Sequence, residues 1–139
     1  MKIRTFQLSD YRSVSDLLEV SLSEECCKET LKALARQLSW DSELVLVAEE
    51  EEEILGVMIG TIDKQNGYVY RIAVHPDHRR RGVGRSLVTA LNARFRQRNV
   101  LKVLVAVDKH NEHLQPFYER LGDAPDMVKL NRPLSIVAG

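Results

Sequence analysis

Gly82 and Gly84, set among Arg79, Arg80, Arg81 and Arg85, constrain this chain most, because of what flanks them. Upstream, Tyr68 to Val74 is rich in β-branched and aromatic residues and reads as a strand, which Pro76 ends by removing a backbone donor. Downstream, apolar residues recur with a helical period from Gly84 to Phe95, predicting a helix that buries Leu87, Val88, Leu91 and Phe95. A strand, a glycine turn and a helix in that order leave unpartnered amides and the positive end of the helix dipole at the turn. Glycine lets that backbone approach a ligand closely, and the arginines add full charges. The turn therefore reads as an anion site suited to a phosphate or pyrophosphate.

Spacing separates three glycine-rich phosphate motifs. A P-loop needs a glycine where Arg79 stands and a lysine where Arg85 stands, so it fails. A dinucleotide fingerprint beginning at Gly82 needs a small residue where Leu87 stands, so it fails as well. What fits is Arg-x-x-Gly-x-Gly, Arg79 to Gly84, after a strand that ends Ala73-Val74-His75-Pro76 and before an amphipathic helix.

That order, with Val74-His75-Pro76-Asp77-His78 leading into the arginines and glycines, closely resembles the coenzyme-A-binding motif of the GNAT superfamily of N-acetyltransferases. A second landmark, Asn111 to Gly122, resembles the family's later strand-to-helix segment, with its Phe117-Tyr118 pair and closing Leu121-Gly122. The resemblance spans nearly the whole chain. It implies one domain over residues 1–139 of mixed α/β class (α+β with a mixed sheet): antiparallel N-terminal strands and a central βαβ unit whose parallel strands splay.

The resemblance also implies the chemistry: an acetyl group passes from acetyl coenzyme A, a cosubstrate, to a primary amine within a ternary complex. Residues Arg79, Arg80, Arg81, Gly82, Val83, Gly84, Arg85 and Ser86 would hold the pyrophosphate. A backbone donor among Ile72, Ala73 and Val74 would face the thioester carbonyl and stabilise its developing charge. Asn111 matches a cofactor-contacting position, although an Asn in a loop is also a good turn residue. Tyr118 matches the general acid and a cofactor contact. Reference pKa values make full proton transfer from a Tyr to a thiolate uphill by about 2 kcal/mol, so a hydrogen bond to the leaving sulfur describes it better. The alternative for Tyr118 is a packing aromatic.

The base is not visible. Family members with a strand carboxylate carry Glu near the start of the central strand, whereas Tyr68 to Val74 has no acid. His75 and His110, at the ends of the two parallel strands, have a suitable titration range. A water chain, or an acceptor that arrives neutral, stays open. Cys26 and Cys27 are read as structural or surface residues, since no positioned base or positive neighbour can be inferred for them. The four histidines form no compact ligand set, and no metal is expected.

Composition excludes other classes. A chain of 139 residues, 44% apolar, suits one globular domain. Net charge is zero and the pI about 6.9, so no global attraction draws it to nucleic acid or an anionic membrane. Two adjacent cysteines cannot staple distant segments and suit a reducing compartment. No apolar run approaches the ~18 residues of a membrane span, and Met1 to Thr5 opens no signal peptide, so a cytoplasmic protein is expected. The resemblance implies a small-molecule or protein amine as the acceptor partner and suggests a homodimer. Two rivals remain: a non-catalytic acyl-coenzyme-A sensor or partner domain, and a nucleic-acid binder using the arginines.

The remaining elements follow in order. Lys2 to Leu8 reads as a first strand. Ser9 is offered as a helix cap, with Tyr11, Val14, Leu17, Leu18 and Leu22 on one face, and a second helix is expected over Lys28 to Leu38. In the family that the chain resembles, this two-helix region shapes the acceptor side of the cleft. Glu43 to Ala48, Ile54 to Asp63 and Tyr68 to Val74 should form an antiparallel meander, with Glu49 to Glu53 a solvated turn and Asn66-Gly67 a hairpin turn. Val100 to Val107 reads as a buried parallel strand, Leu114 to Leu121 as a short helix with Pro116 in its first turn and Gly122 as its stop, and Met127 to Leu130 as a last strand.

Overall fold

Short turns lay the second, third and fourth strands side by side, and the first pairs with the second across a two-helix excursion. The computed structural model describes residues 1–121 and 125–129. Strands β1 (Lys2–Thr5), β2 (Val45–Glu50), β3 (Glu53–Asp63) and β4 (Asn66–Val74) pair antiparallel in that order; β5 (Lys102–Val107) joins β4 in parallel, and β6 (Asp126–Lys129) joins β5 in parallel. Helices α1 (Tyr11–Ser21) and α2 (Glu24–Trp40) cover one face, and α3 (Val83–Gln97) and α4 (Gln115–Glu119) the other. Strand alternation sorts the core accordingly. Leu46, Met58, Val69 and Ile72 meet Leu87, Leu91 and Phe95 of α3, while Val45, Val47, Val57 and Ala73 meet Val14, Leu17 and Leu18 of α1. The mixed α/β architecture matches the expectation.

Several local expectations shift. The β3–β4 turn is Lys64-Gln65, with Lys64 at φ 59°, and Asn66 and Gly67 already belong to β4. Gly67 serves packing instead: a Cβ there would lie 2.9 Å from the ring of Phe95, which is wholly buried. The acidic run is mostly paired. Glu49 receives Arg4 at 2.7 Å, Glu50 receives Arg81 at 3.1 Å, and Glu53 lies 3.8 Å from His78 Nε2. Only Glu51 and Glu52 form the turn, both left-handed (φ 52° and 66°), the twist a two-residue hairpin requires.

β1 stops at Thr5, and Ser9 sits inside a 3-10 turn, Leu8–Asp10, without capping α1. Asp10 is buried there. Its carboxylate takes Arg4 at 2.8 and 2.9 Å and the Gln7 amide at 2.8 Å, and Arg4 holds its pKa below the ordinary carboxylate range. Tyr11 is half-exposed and lies off the buried face. Helix α2 begins earlier than expected because Ser23 caps it, Oγ accepting from the Cys26 amide at 3.1 Å.

The segment Glu112–Leu114 is a 3-10 turn leading into α4, where Pro116 occupies the first turn. The expected stop at Gly122, residues 123–124 and Leu130 lie outside the described residues. No helix among the described residues is long and apolar enough to cross a membrane.

One irregularity creates the site. β4 and β5 pair from Asn66↔Lys102 to Val69↔Val105 and no further. At that point the β3–β4 register skips Tyr70, the extra residue of a bulge, which bends β4 away. Arg71 to Val74 therefore run without a β5 partner.

Candidate active site

Splaying two strands strands their backbone groups, and ladder alternation tells which. The His75 amide donates to the Leu55 carbonyl at 2.8 Å, so His75, Ala73 and Arg71 direct their amides to β3. Ile72 and Val74 then direct theirs into the gap. Of the three expected donors, alternation selects these two and assigns the Ala73 amide to the ladder. The Val74 carbonyl accepts from Arg79 Nε at 3.3 Å and Ser21 Oγ at 3.4 Å.

The turn beyond β4 aims further amides at the same space. A 3-10 turn, Pro76–His78, leads to Arg80 at φ 65° and Gly82 at φ 79°, two left-handed residues ahead of α3. A Cβ on Gly82 would meet nothing within 4 Å, so its dihedral, not space, calls for glycine. The amides of Val83, Gly84 and Arg85 open α3 without intrahelical partners. Ser86 is different: its amide already donates to the Gly82 carbonyl at 3.0 Å, so it adds no free donor. Arg81 turns away as well. Its Nη2 bridges both Glu50 oxygens at 3.1 Å and its Nη1 lies 2.7 Å from His78 Nδ1.

These groups border a cleft of about 720 Å³, within the range of small-ligand sites. Ile72, Val74, Gly82, Gly84, Arg85 and Phe117 line its α3 side; Ser21, Ser23, Cys26, Arg71 and His110 line its α2 side. Ala73, Arg79, Arg80, Val83 and Asn111 also line it, whereas Arg81, Ser86 and Tyr118 do not. A free-amide cradle beside Arg80 and Arg85, continuing into a gap with two aimed amides, fits the pyrophosphate and thioester arm of coenzyme A.

Tyr118 is buried, with its ring edge-on to Phe117 at 5.0 Å. Burial pushes its hydroxyl pKa well above the ordinary value, and the Arg71 charge offsets only part of that. The hydroxyl is suited to donating a hydrogen bond and not to surrendering its proton. Asn111 staples the turn after β5. Its Oδ1 accepts from the Asp108 amide at 2.8 Å, and its Nδ2 donates to the Ala106 carbonyl at 2.7 Å, so both side-chain groups are engaged within the protein.

The residue with no sequence signal is Arg71. Buried at 3% exposure, it donates to Asp108 through Nη1 (3.3 Å) and Nη2 (3.1 Å) and to Thr30 Oγ1 through Nε (3.1 Å), with Tyr70 beneath its guanidinium. It ties the diverging strands to each other and to α2. Burial pushes the Asp108 carboxyl up, but the Arg71 hydrogen bonds and charge outweigh it and the pKa falls below the ordinary range. An arginine within a strand and an aspartate at the end of another carry no spacing that announces the pair.

The two candidate bases part company. His75 lies off the cleft wall and its Nδ1 accepts from the Asp77 amide at 3.1 Å, whereas His110 lines the cleft with Nε2 3.3 Å from Glu29 Oε2. Glu25, Glu29 and His110 bring ligand-type atoms within 4.8 Å, although Glu25 already receives Lys109 Nζ at 2.9 Å. Both cysteines are unpaired and buried, and desolvation raises each thiol pKa, which tells against an activated thiolate.

Known proteins repeat this architecture. The profile of the acetyltransferase (GNAT) family matches residues 11–123. An acetyltransferase of Yersinia enterocolitica is 32% identical over 137 residues, covering 98% of this chain and 97% of its own. A GNAT family acetyltransferase of Brucella melitensis, solved with acetyl-CoA, superposes with a TM-score of 0.72 at 20% identity over 96% of this chain and 95% of its own. The PaiA N-acetyltransferase of Thermoplasma acidophilum, solved with coenzyme A, superposes with a TM-score of 0.70 at 17% identity over 86% of each chain. With the family profile spanning the strand, the glycine turn and the segment through Tyr118, this chain belongs to the GNAT family of acetyltransferases.

Proposed function

We propose that the protein moves an acetyl group from acetyl coenzyme A directly to a primary amine, with both bound at once across the gap between β4 and β5. The acyl donor supplies an activated thioester. The observation that carries the reading is the pair of amides, Ile72 and Val74, freed by the splay beside the unpartnered amides of Val83, Gly84 and Arg85. The amides at the start of α3 hold the pyrophosphate, and Arg80 and Arg85 screen its charge. The Ile72 and Val74 amides orient the carbonyl oxygen and stabilise the charge that develops on it. Tyr118 Oη keeps its proton and, from α4 just behind the cleft lining, is the hydroxyl that donates a hydrogen bond to the departing sulfur once the thioester fills the gap. The acceptor, a small-molecule or protein amine, enters from the α2 side. Unpaired buried Cys26 and Cys27 suit a reducing cytoplasm.

Calorimetry with acetyl coenzyme A, followed by thiol detection against a panel of alkylamines, aminoglycosides and peptide N-termini, tests this. Saturable uptake and acceptor-dependent thiol release are expected. Failure to bind at millimolar acetyl coenzyme A would overturn the reading. Uptake without thiol release from any amine would favour a non-catalytic acyl-coenzyme-A-binding domain.

A further inference from the structure

We propose that His110, oriented by Glu29, takes the proton from the incoming ammonium, so that the α2 side of the cleft carries its own general base. The inference rests on the acetyl-transfer reading above. A primary ammonium has no lone pair with which to attack a carbonyl, and β4, with no carboxylate, cannot relieve it of a proton. His110 is placed to do so.

The backbone of His110 is pinned. Its amide donates to Asp108 Oδ1 at 2.8 Å, and Asp108 is held by Arg71, so the loop after β5 is anchored to the acceptor wall. The ring reaches back to α2, the helix that borders the acceptor side and not the pyrophosphate side. Its Nε2 is fully buried without a well-aligned hydrogen-bond partner, and Glu29 Oε2 lies 3.3 Å from it. A buried ring nitrogen facing a carboxylate is stabilised when it carries a proton and destabilised when it presents a lone pair. Nε2 is therefore the protonated nitrogen. Nδ1 is left as the basic atom of a side chain that lines the cleft.

The surrounding charges agree. From α2 come Glu25 and Glu29, from β4 Arg71, and from the loop itself Asp108, Lys109 and His113. Lys109 matches Glu25 at 2.9 Å and Asp108 matches Arg71 at 3.1 Å, so Glu29 is the carboxylate left to face the ring. The Lys109 ammonium on Glu25 also disfavours a cation at the three-residue cluster. The protons balance: the ammonium gives one to Nδ1, which passes it to solvent. Its nitrogen bonds the acetyl carbon as the carbon–sulfur bond breaks, and the second proton it sheds equals the one the thiol carries away.

The test uses the full chain, acetyl coenzyme A and two probes: the best alkylamine of the acceptor panel, and hydroxylamine, which is neutral at pH 7. His110→Gln is expected to lower kcat/KM for the alkylamine by about a hundredfold at pH 7, the typical range for a lost general base. The loss should shrink as pH rises and free amine appears. Hydroxylamine turnover and acetyl coenzyme A affinity should change less than about threefold, since neither needs the base. Glu29→Gln, acting through His110, should cost less and should erase the preference for the Nε2–H tautomer in long-range proton–nitrogen NMR spectra of the ring. Wild-type alkylamine turnover in His110→Gln, an Nδ1–H tautomer in the wild type, or zinc binding that Glu29→Gln abolishes would each overturn the assignment. The NMR readout needs no acceptor. A wild-type protein that binds acetyl coenzyme A but acetylates nothing would sink the transfer reading, while the tautomer still reports on the His110–Glu29 pair.

Discussion

The two sides of the splayed strands are built by different means. Toward α3 a ligand meets main chain: the amides of Ile72, Val74, Val83, Gly84 and Arg85. Toward α2 it meets side chains from three separate segments, Ser23 and Cys26, then Arg71, then His110. A main-chain site needs only a few residues with unusual dihedrals, and it accepts whatever carries the right anionic group. A side-chain site needs convergence of distant segments, and its chemistry changes with every substitution. One side is thus suited to a constant donor and the other to a variable acceptor.

The Arg71–Asp108 pair joins the two sides, and breaking it should have the largest effect. Asp108→Ala leaves the buried Arg71 charge without its carboxylate and should destabilise the protein by about 3 kcal/mol in urea unfolding. Arg71→Met should cost less than half as much. It removes the buried charge together with its desolvation cost and leaves Asp108 partly exposed and still bonded to backbone amides. Equal losses would mean that the pair does not behave as a buried ion pair. Acid should act in the same direction. Asp108 and Asp10 have folded pKa values below their unfolded ones, so their contribution is complete above about pH 4 and is lost as pH falls through the lower folded values. The acid limb of the stability profile should be shallower in Asp108→Ala than in the wild type.

That asymmetry explains what was legible in the sequence. Gly82 and Gly84 follow a strand and open a helix within a few residues, so local spacing carried the βαβ unit and the family resemblance. The meander was legible from its apolar runs, yet Asn66-Gly67 misled: Gly67 is small to admit the Phe95 ring, a demand from residues nearly thirty positions away. Acidic residues 49–53 read as a solvated block because their partners Arg4, His78 and Arg81 are distant in the chain. Arg71, Asp108, Thr30 and Glu29 were illegible for the same reason, and only the fold brings them together. Ser86 and Arg81 fit the motif by position but not by bonding: one amide is spent inside α3 and one guanidinium on Glu50.

The donor side can be tested where its dihedrals are least forgiving. Gly82→Val places a β-branched residue at φ 79°, costing about 1–2 kcal/mol, and should weaken acetyl coenzyme A binding by about tenfold in calorimetry. Gly82→Asn should lose less, because Asn tolerates the left-handed region. Identical losses would point to the missing Cβ, not the dihedral, as the reason for glycine. Tyr118→Phe should then lower turnover about tenfold, about 1.4 kcal/mol on the barrier, and leave that affinity unchanged. A variant with wild-type turnover would return Tyr118 to the core beside Phe117 and remove it from the mechanism.

The smallest effect is expected within the arginine cluster itself, and it separates residues that the sequence groups together. Arg85 lines the cleft, whereas Arg81 is held by Glu50 in a surface pair of the kind worth about 0–1 kcal/mol. Arg81→Gln should therefore change acetyl coenzyme A affinity by less than about threefold and stability by under 1 kcal/mol. Arg85→Gln should weaken binding more, and its deficit should narrow as salt rises, because the charge it removes acts on the ligand through solvent. If Arg81→Gln instead proves the weaker binder, the guanidinium must leave Glu50 when the pyrophosphate arrives, and Glu50→Gln should then tighten binding by freeing it.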